Sequence, residues 1–384
     1  GYRFDFEHKK ITQTGGFFLK AEPKQVEIYI DGKLAKKTDF FFGSALIENL
    51  LPKRHKIEVK KEGYLSWEKN LEIREKEVTE VKNLILFPQN LNFNILAKGV
   101  KNFWFSPDGK KIILKEDDEK VWALKLYDLE KNLKSHLIEE REIYSGGADL
   151  LNLELSQDSK EIYLDIGLKE QEKHFLLEIE KSPPILKERK ISKVPENIIA
   201  AKNLNNDFYY LDTSGNLFKN ELKLTEKPFP VKKETKYSLE IFPGFLFLVE
   251  DENLYLFSFE SKSFEKFFDK VKDLKISPDN KKLVFFSPSE IWIFFLKDEG
   301  AKKAGEKLFL VRLSEKIDNV FWLNSDYLIF NSGNNLKIVE IDERDKIQTW
   351  DIANFPNPEI YFNERERKLY ILSQGNLFLS EKLY

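Results

Sequence analysis

The chain has 384 residues, a formal net charge of −3, 33 Phe, and neither Cys nor Met. That length supplies cores for two domains. The balanced charge, with no long basic or acidic block, excludes a nucleic-acid footprint. The lack of Cys excludes disulfides, thiol catalysis and thiolate metal sites.

Residues 1–14 read as an N-terminal extension. The chain opens on Gly1-Tyr2-Arg3-Phe4 with no initiator, so a trimmed or processed form is expected, following a membrane anchor. No run of 18 or more apolar residues lies in the chain itself. Six short strands are predicted next, over 16–21, 26–31, 33–38, 55–61, 65–73 and 78–86. Turn signals separate them at Asp31-Gly32, Pro52-Lys53-Arg54 and Glu62-Gly63. Alternation in Val26-Glu27-Ile28-Tyr29-Ile30 buries one face. Together they make a small β-sandwich over 15–88. Phe40-Phe41-Phe42 cannot all face one side of a strand. The expectation is a strand buried on both faces against the following domain. The alternative is an exposed apolar tip meeting a partner or a membrane surface.

The segment from Val26 through Asp31-Gly32-Lys33, Leu51-Pro52-Lys53-Arg54-His55 and Lys61-Glu62-Gly63-Tyr64-Leu65-Ser66-Trp67 resembles a PEGA domain. It departs from that pattern in three places. The eponymous tetrapeptide is Pro23-Lys24-Gln25-Val26, Lys53 stands where the central turn has Gly, and the run 39–49 is long. The resemblance implies a surface or envelope protein with an accessory module that has no chemistry of its own.

From residue 89 a different pattern begins. Ser106-Pro107-Asp108-Gly109, Ser156-Gln157-Asp158-Ser159 and Ser277-Pro278-Asp279-Asn280 each link two apolar strands. Pro presets the turn, and Gly or Asn takes the left-handed position that closes a hairpin with a bulge. Ser106 and Ser156 are 50 residues apart, and Ser156 and Ser277 are 121 apart, close to three units of about 40. Degenerate copies fall at 204–211, 242–249, 323–330 and 362–371, for seven in all. A third apolar strand follows at 121–129, 216–222, 253–259, 290–296, 335–341 and 376–382. Four short strands at this period are the mark of propeller blades. The last unit is one strand short, and residues 91–96 are placed to close the ring and remove an open edge. Over about 91–384 these boxes resemble the WD40-like and TolB-type propeller repeat. The expected fold is all-β: a PEGA-like sandwich, then a β-propeller over 89–384 with seven blades, six or eight being the alternatives. Such propellers host enzymes, receptors and scaffolds alike.

Little chemistry is visible. There is no Gly-x-Ser-x-Gly elbow, phosphate loop, HExxH or EF-hand pattern. His8, His55, His136 and His174 are scattered, His55 sitting where a structural role is the default. The acidic run 116–119 reads as a solvated hairpin turn, with a weak calcium site as runner-up. Asp212-Thr213-Ser214-Gly215-Asn216 reads as a plain turn. The first strand of each blade would line a channel, with Asn102, Asn152, Glu154, Lys202, Glu240, Lys275 and Glu359 as its polar candidates. The stretches 181–189 and 227–233 read as loops. The insertion 297–307, with Lys302 and Lys303, and the Phe40–Phe42 run are the candidate partner contacts.

These features favour a non-enzymatic scaffold at the cell surface or in the periplasm, without cofactor or metal, offering protein or glycan contacts. Membrane attachment is expected only through the anchor, and the oligomeric state stays open. Two alternatives remain. One is a glycan-acting propeller enzyme using Glu154 and Glu240, whose carboxyls would need to lie about 5–10 Å apart. The other is a TolB-like periplasmic adaptor that binds a peptide.

Overall fold

The computed structural model describes residues 1–5, 9–118, 121–169, 171–190, 195 and 197–384. Its described regular structure is strand throughout, apart from one short helix at Glu140–Ile143. Two compact units emerge, residues 1–98 with 318–384, and residues 99–317.

In the first unit a hairpin of β1 (Tyr2–Asp5) and β2 (Lys10–Gln13) precedes the sandwich, where only an extension was expected. One sandwich sheet contains β4 (Glu27–Ile30), β5 (Lys33–Lys37), β7 (Arg54–Lys60) and β8 (Trp67–Glu72), in the order β5-β4-β7-β8. The other holds β3 (Gly15–Glu22), β6 (Ser44–Leu50) and β9 (Val78–Ile85), with β3 parallel to β9. The alternation predicted for residues 26–30 holds, since Val26 and Ile28 are buried while Glu27 and Tyr29 are half-exposed. Phe17, Leu19, Ile57, Val59, Trp67 and Leu71 fill the space between the sheets. Each such side chain contributes about 1.5–3 kcal/mol on burial. His55 has the expected structural role. Its Nδ1 lies 2.8 Å from Asp31 Oδ2 and its Nε2 2.9 Å from the Leu51 carbonyl, so it ties the Asp31-Gly32 turn to the neighbouring loop.

Strand β6 was not foreseen, and the three Phe before it are not a buried strand. They form a turn that faces solvent. Asp39 and Gly43 dictate it. The Asp39 carboxylate accepts the Phe42 and Ser44 amides at 2.5 and 2.9 Å. Gly43 takes φ +67°, and a Cβ there would lie 2.6 Å from the Ala21 carbonyl. Turn chemistry therefore outweighs the strand preference of Phe.

Seven four-stranded antiparallel sheets follow among the described residues, each a meander of the propeller-blade type. Sheets one to five span 100–139, 149–188, 198–223, 237–268 and 273–312, all within the second unit. Sheet six spans 317–354. Sheet seven is built from Glu359–Asn363, Lys368–Ser373 and Asn376–Lys382, and completed by β10 (Phe93–Lys98). Strand β10 runs antiparallel to Asn376–Lys382, with Phe93 opposite Ser380, as the 91–96 segment was expected to do.

The three clear boxes share a device that explains their leading Ser. Ser106 donates its hydroxyl to Asp108 at 2.6 Å and accepts the Lys111 amide at 2.9 Å. Ser156 and Asp158, then Ser277 and Asp279, repeat the bond at 2.7 and 2.6 Å. Gly109, Ser159 and Asn280 take φ of 67°, 61° and 56°, the left-handed position the turn requires. Isoleucines and leucines such as Ile113, Leu124, Leu153 and Leu164 pack sheet one on sheet two.

Two loop readings change. Residues 185–188 are the outer strand of sheet two. Glu116, Asp117 and Asp118 lie in the second strand of sheet one, and Glu119 lies outside the described residues. Glu116 is held there by Lys125 at 2.7 Å and by Lys134.

Candidate functional site

Strand β8 does two jobs. It completes a sandwich sheet, and it presents Trp67 and Lys69 to sheet six. Lys69 is fully buried, and its Nζ lies 2.7 Å from Glu340 Oε1. It also donates to the carbonyls of Asp342, Arg344 and Lys346 at 2.7, 2.9 and 2.6 Å. The Trp67 indole donates to Glu340 Oε2 at 3.0 Å, and the Gln348 amide to Oε1 at 3.0 Å. Burial pushes the Glu340 carboxyl above its ordinary range, while these donors pull it back. Around this centre Ile85 and Phe87 join Tyr327, Ile329 and Ile338 in one apolar cluster. The Tyr327 hydroxyl accepts the Ile85 amide at 3.2 Å. A buried ion pair whose carboxylate takes three donors and whose ammonium meets three further carbonyls favours one docking geometry.

Beside this contact a cleft of about 940 Å³ opens in the same unit. Five cations line it (Lys20, Lys24, Lys82, Arg367 and Lys382) against two carboxylates, Glu22 and Asp326. Both carboxylates are engaged. Glu22 lies 3.4 Å from the Arg367 guanidinium, and Asp326 accepts the Asn83 amide at 2.8 Å. Lys82 reaches Glu80 at the rim, 2.5 Å away. Aromatic surface comes from Tyr64, Tyr384 and Phe42, with the Arg367 guanidinium 4.8 Å from the Tyr384 ring centre. The PEGA-like segment thus supplies Pro23, Lys24 and Tyr64 to the cleft, and Tyr64 packs on the sandwich core as well.

The channel candidates are brought together only in part. Lys202 and Glu240, on the first strands of sheets three and four, form an ion pair at 3.1 Å. Asn152 donates to Asp165 at 3.1 Å. Lys275 lies 3.4 Å from Asp273, and burial holds its ammonium below the ordinary lysine value. Asn102 and Glu154 are exposed on the first strands of sheets one and two. In the insertion, Lys303 pairs with Asp298 at 2.9 Å, and Lys302 exchanges backbone bonds with Glu299. Glu299 in turn meets the fully buried ammonium of Lys282 at 2.7 Å, so the insertion is stitched to sheet five.

Two further clusters escaped the sequence reading. On sheet two, Asp165 lies opposite His174 and Gly167 opposite Glu172, which brings Asp165, Glu172 and His174 onto one face. Their ligand atoms lie within 4.8 Å of one another, a set able to hold a divalent cation. His174 Nδ1 sits 2.7 Å from Asp165 Oδ1, and this bond holds the Asp165 carboxyl below its usual range. The Arg189 charge acts on Asp165 in the same direction and competes with a metal there. His136 pairs with Glu142 at 3.4 Å, while His8 lies outside the described residues. On sheet four, Glu250 is buried and accepts from Lys232, Tyr237 and Tyr255 at 2.9, 3.1 and 3.1 Å. The loop 227–232 folds over it and bounds a cavity of about 270 Å³. The signal for both clusters was present as polar residues inside strand patterns. Strand register, which pairs them, is a long-range property.

No family model matches the chain, and no curated protein matches it. Among solved structures it is similar to the β-propeller domain of Myceliophteria thermophila Cps50 (Swd1). The identity is 11%, covering 76% of this chain and 99% of that one, with a TM-score of 0.45.

Proposed function

We propose that this protein is a non-enzymatic scaffold of the cell envelope, in which the four-stranded sheets serve as propeller blades and the sandwich carries a contact site. The observation that carries the reading is the cleft beside the sandwich. Its lining has an excess of cations over carboxylates, and both carboxylates already have partners. Lys20 and Lys382 make no ion pair among the described residues. Such a surface favours an anionic partner, either an acidic glycan or an acidic protein segment. The tyrosine faces suit the apolar side of a sugar ring or an extended peptide. An extracytoplasmic setting is supported by the PEGA-like motif, whose Asp31-Gly32 and Gly63 occupy left-handed turns at φ 50°, 77° and 80°. The glycan-hydrolysing alternative is weakened because Glu240 is already paired with Lys202.

The test is binding of polygalacturonate and of polyglutamate to the whole chain and to its K20E/K24E/K382E variant, by calorimetry across a salt series. Binding that weakens with salt and is lost in the variant supports the reading. Equal binding by both proteins, or none by the wild type, would sink it.

A further inference from the structure

The Phe40–Phe42 turn is the largest apolar feature that the sandwich leaves in solvent. The three side chains are 65%, 75% and 74% exposed. Phe40 and Phe41 touch each other edge to face, with centroids 5.6 Å apart. Exposed aromatics in a loose loop would mean little, but this loop is fixed. Besides the two amides it accepts, the Asp39 carboxylate takes the Ser44 hydroxyl at 2.9 Å. The Asp39 amide donates to the Ser44 carbonyl at 2.9 Å, and the Ala21 amide to the Gly43 carbonyl at 2.9 Å. Lys24 Nζ braces the tip by donating to the Phe41 carbonyl at 2.6 Å. Three large apolar groups are therefore held ready, with little ordering left to do on binding.

The charges beside the tip indicate what covers it. Asp39 spends its carboxylate inward on the turn. Phe42 lines the cleft together with Lys20, Lys24, Lys82, Arg367 and Lys382, which outnumber Glu22 and Asp326, so the tip adjoins a net cationic surface. An exposed aromatic tip beside a lysine-rich wall matches the interface of an anionic bilayer. Aromatic side chains sit at the headgroup level, and ammonium groups meet lipid phosphates. We infer that the Phe40–Phe42 turn is a membrane-interface wedge that dips into an anionic lipid surface. This contact goes beyond the proposed binding of an anionic partner in the cleft and stands without it.

The experiment is co-sedimentation of the whole chain with vesicles of phosphatidylcholine alone and of phosphatidylcholine with phosphatidylglycerol. The wild type is expected to pellet with the anionic vesicles and much less with the neutral ones. F41S/F42S should lower the apparent affinity at least about tenfold. Its thermal midpoint should stay unchanged, because neither side chain is in the core. The K20E/K382E variant should weaken binding at low salt, and an F41W reporter should shift its emission to the blue on anionic vesicles. A wild type that stays in the supernatant with both vesicle types would overturn the wedge, and a tip that serves a protein pocket instead would give this result. Full binding by F41S/F42S would overturn it too. A chain that keeps vesicle binding but ignores polyanions would retain the wedge and lose the cleft reading, so the two are separable.

Discussion

Lys69 and Glu340, separated by most of the chain, meet at 2.7 Å with their side chains 0% and 3% exposed. Breaking such a pair strands a charge in a dry place. Lys69→Met and Glu340→Leu should each cost about 3–5 kcal/mol, read as a lower urea midpoint. The double variant K69M/E340L should lose less than the sum of the two, because no single charge is left stranded, while the carbonyls of 342, 344 and 346 and the Trp67 indole still lose their partners. Additive losses would show that the two residues act independently.

Asp39 sets the pH behaviour of the aromatic turn. Backbone bonds from Phe42 and then Ser44 hold its carboxyl down to about 2, against a reference value of 3.8. A depressed folded value means that the contribution to stability is fully present above the reference value. It is lost as pH falls through the folded one. The amide resonances of Phe42 and Ser44 should therefore titrate with a midpoint near 2. A midpoint close to 3.8 would mean that the carboxylate does not bind the turn.

Gly215 closes the hairpin between the second and third strands of sheet three at φ +80°. A Cβ there would stand 1.9 Å from the Phe229 carbonyl, which belongs to the loop over Glu250. Backbone cannot give way as a side-chain tip can. Gly215→Ala should destabilise by about 2–4 kcal/mol and expose residues 227–232 to limited proteolysis. A variant with native stability and the same digestion pattern would contradict that geometry.

Two glutamates that look alike in sequence should behave differently. Glu250 is buried and shared by Tyr237, Tyr255 and Lys232. Glu240 is half-exposed and meets Lys202. Glu250→Leu should cost about 2–4 kcal/mol by orphaning two hydroxyls. Glu240→Leu should cost less than about 1 kcal/mol in chemical denaturation.

The blades were legible because their determinants are local. A Ser that bonds an Asp two residues on, and a left-handed position after it, leave a ten-residue trace that repeats. The closing strand was legible because a missing fourth strand and an unassigned apolar segment complement each other. Phe40–Phe42 misled because aromatic residues favour strands, while the deciding groups were Asp39 before the run and Gly43 after it. Lys69 was illegible for another reason. A lysine between two strand positions reads as solvated, and it takes Glu340 together with the carbonyls of 342, 344 and 346 to make its burial tolerable. Asp165, Glu172 and His174 needed the register of two strands before they could be seen as a group.

The pairing of β10 with Asn376–Lys382 also sets a timetable for biosynthesis. Strand β10 leaves the ribosome early, yet Ser380 faces Phe93 across the ladder. At about 5–20 residues per second, that partner arrives roughly fifteen to sixty seconds later. Through that interval the nascent chain carries an unmated strand. Sheet seven cannot be completed until residues 376–382 have been made, and a chain lacking them would leave β10 without its ladder.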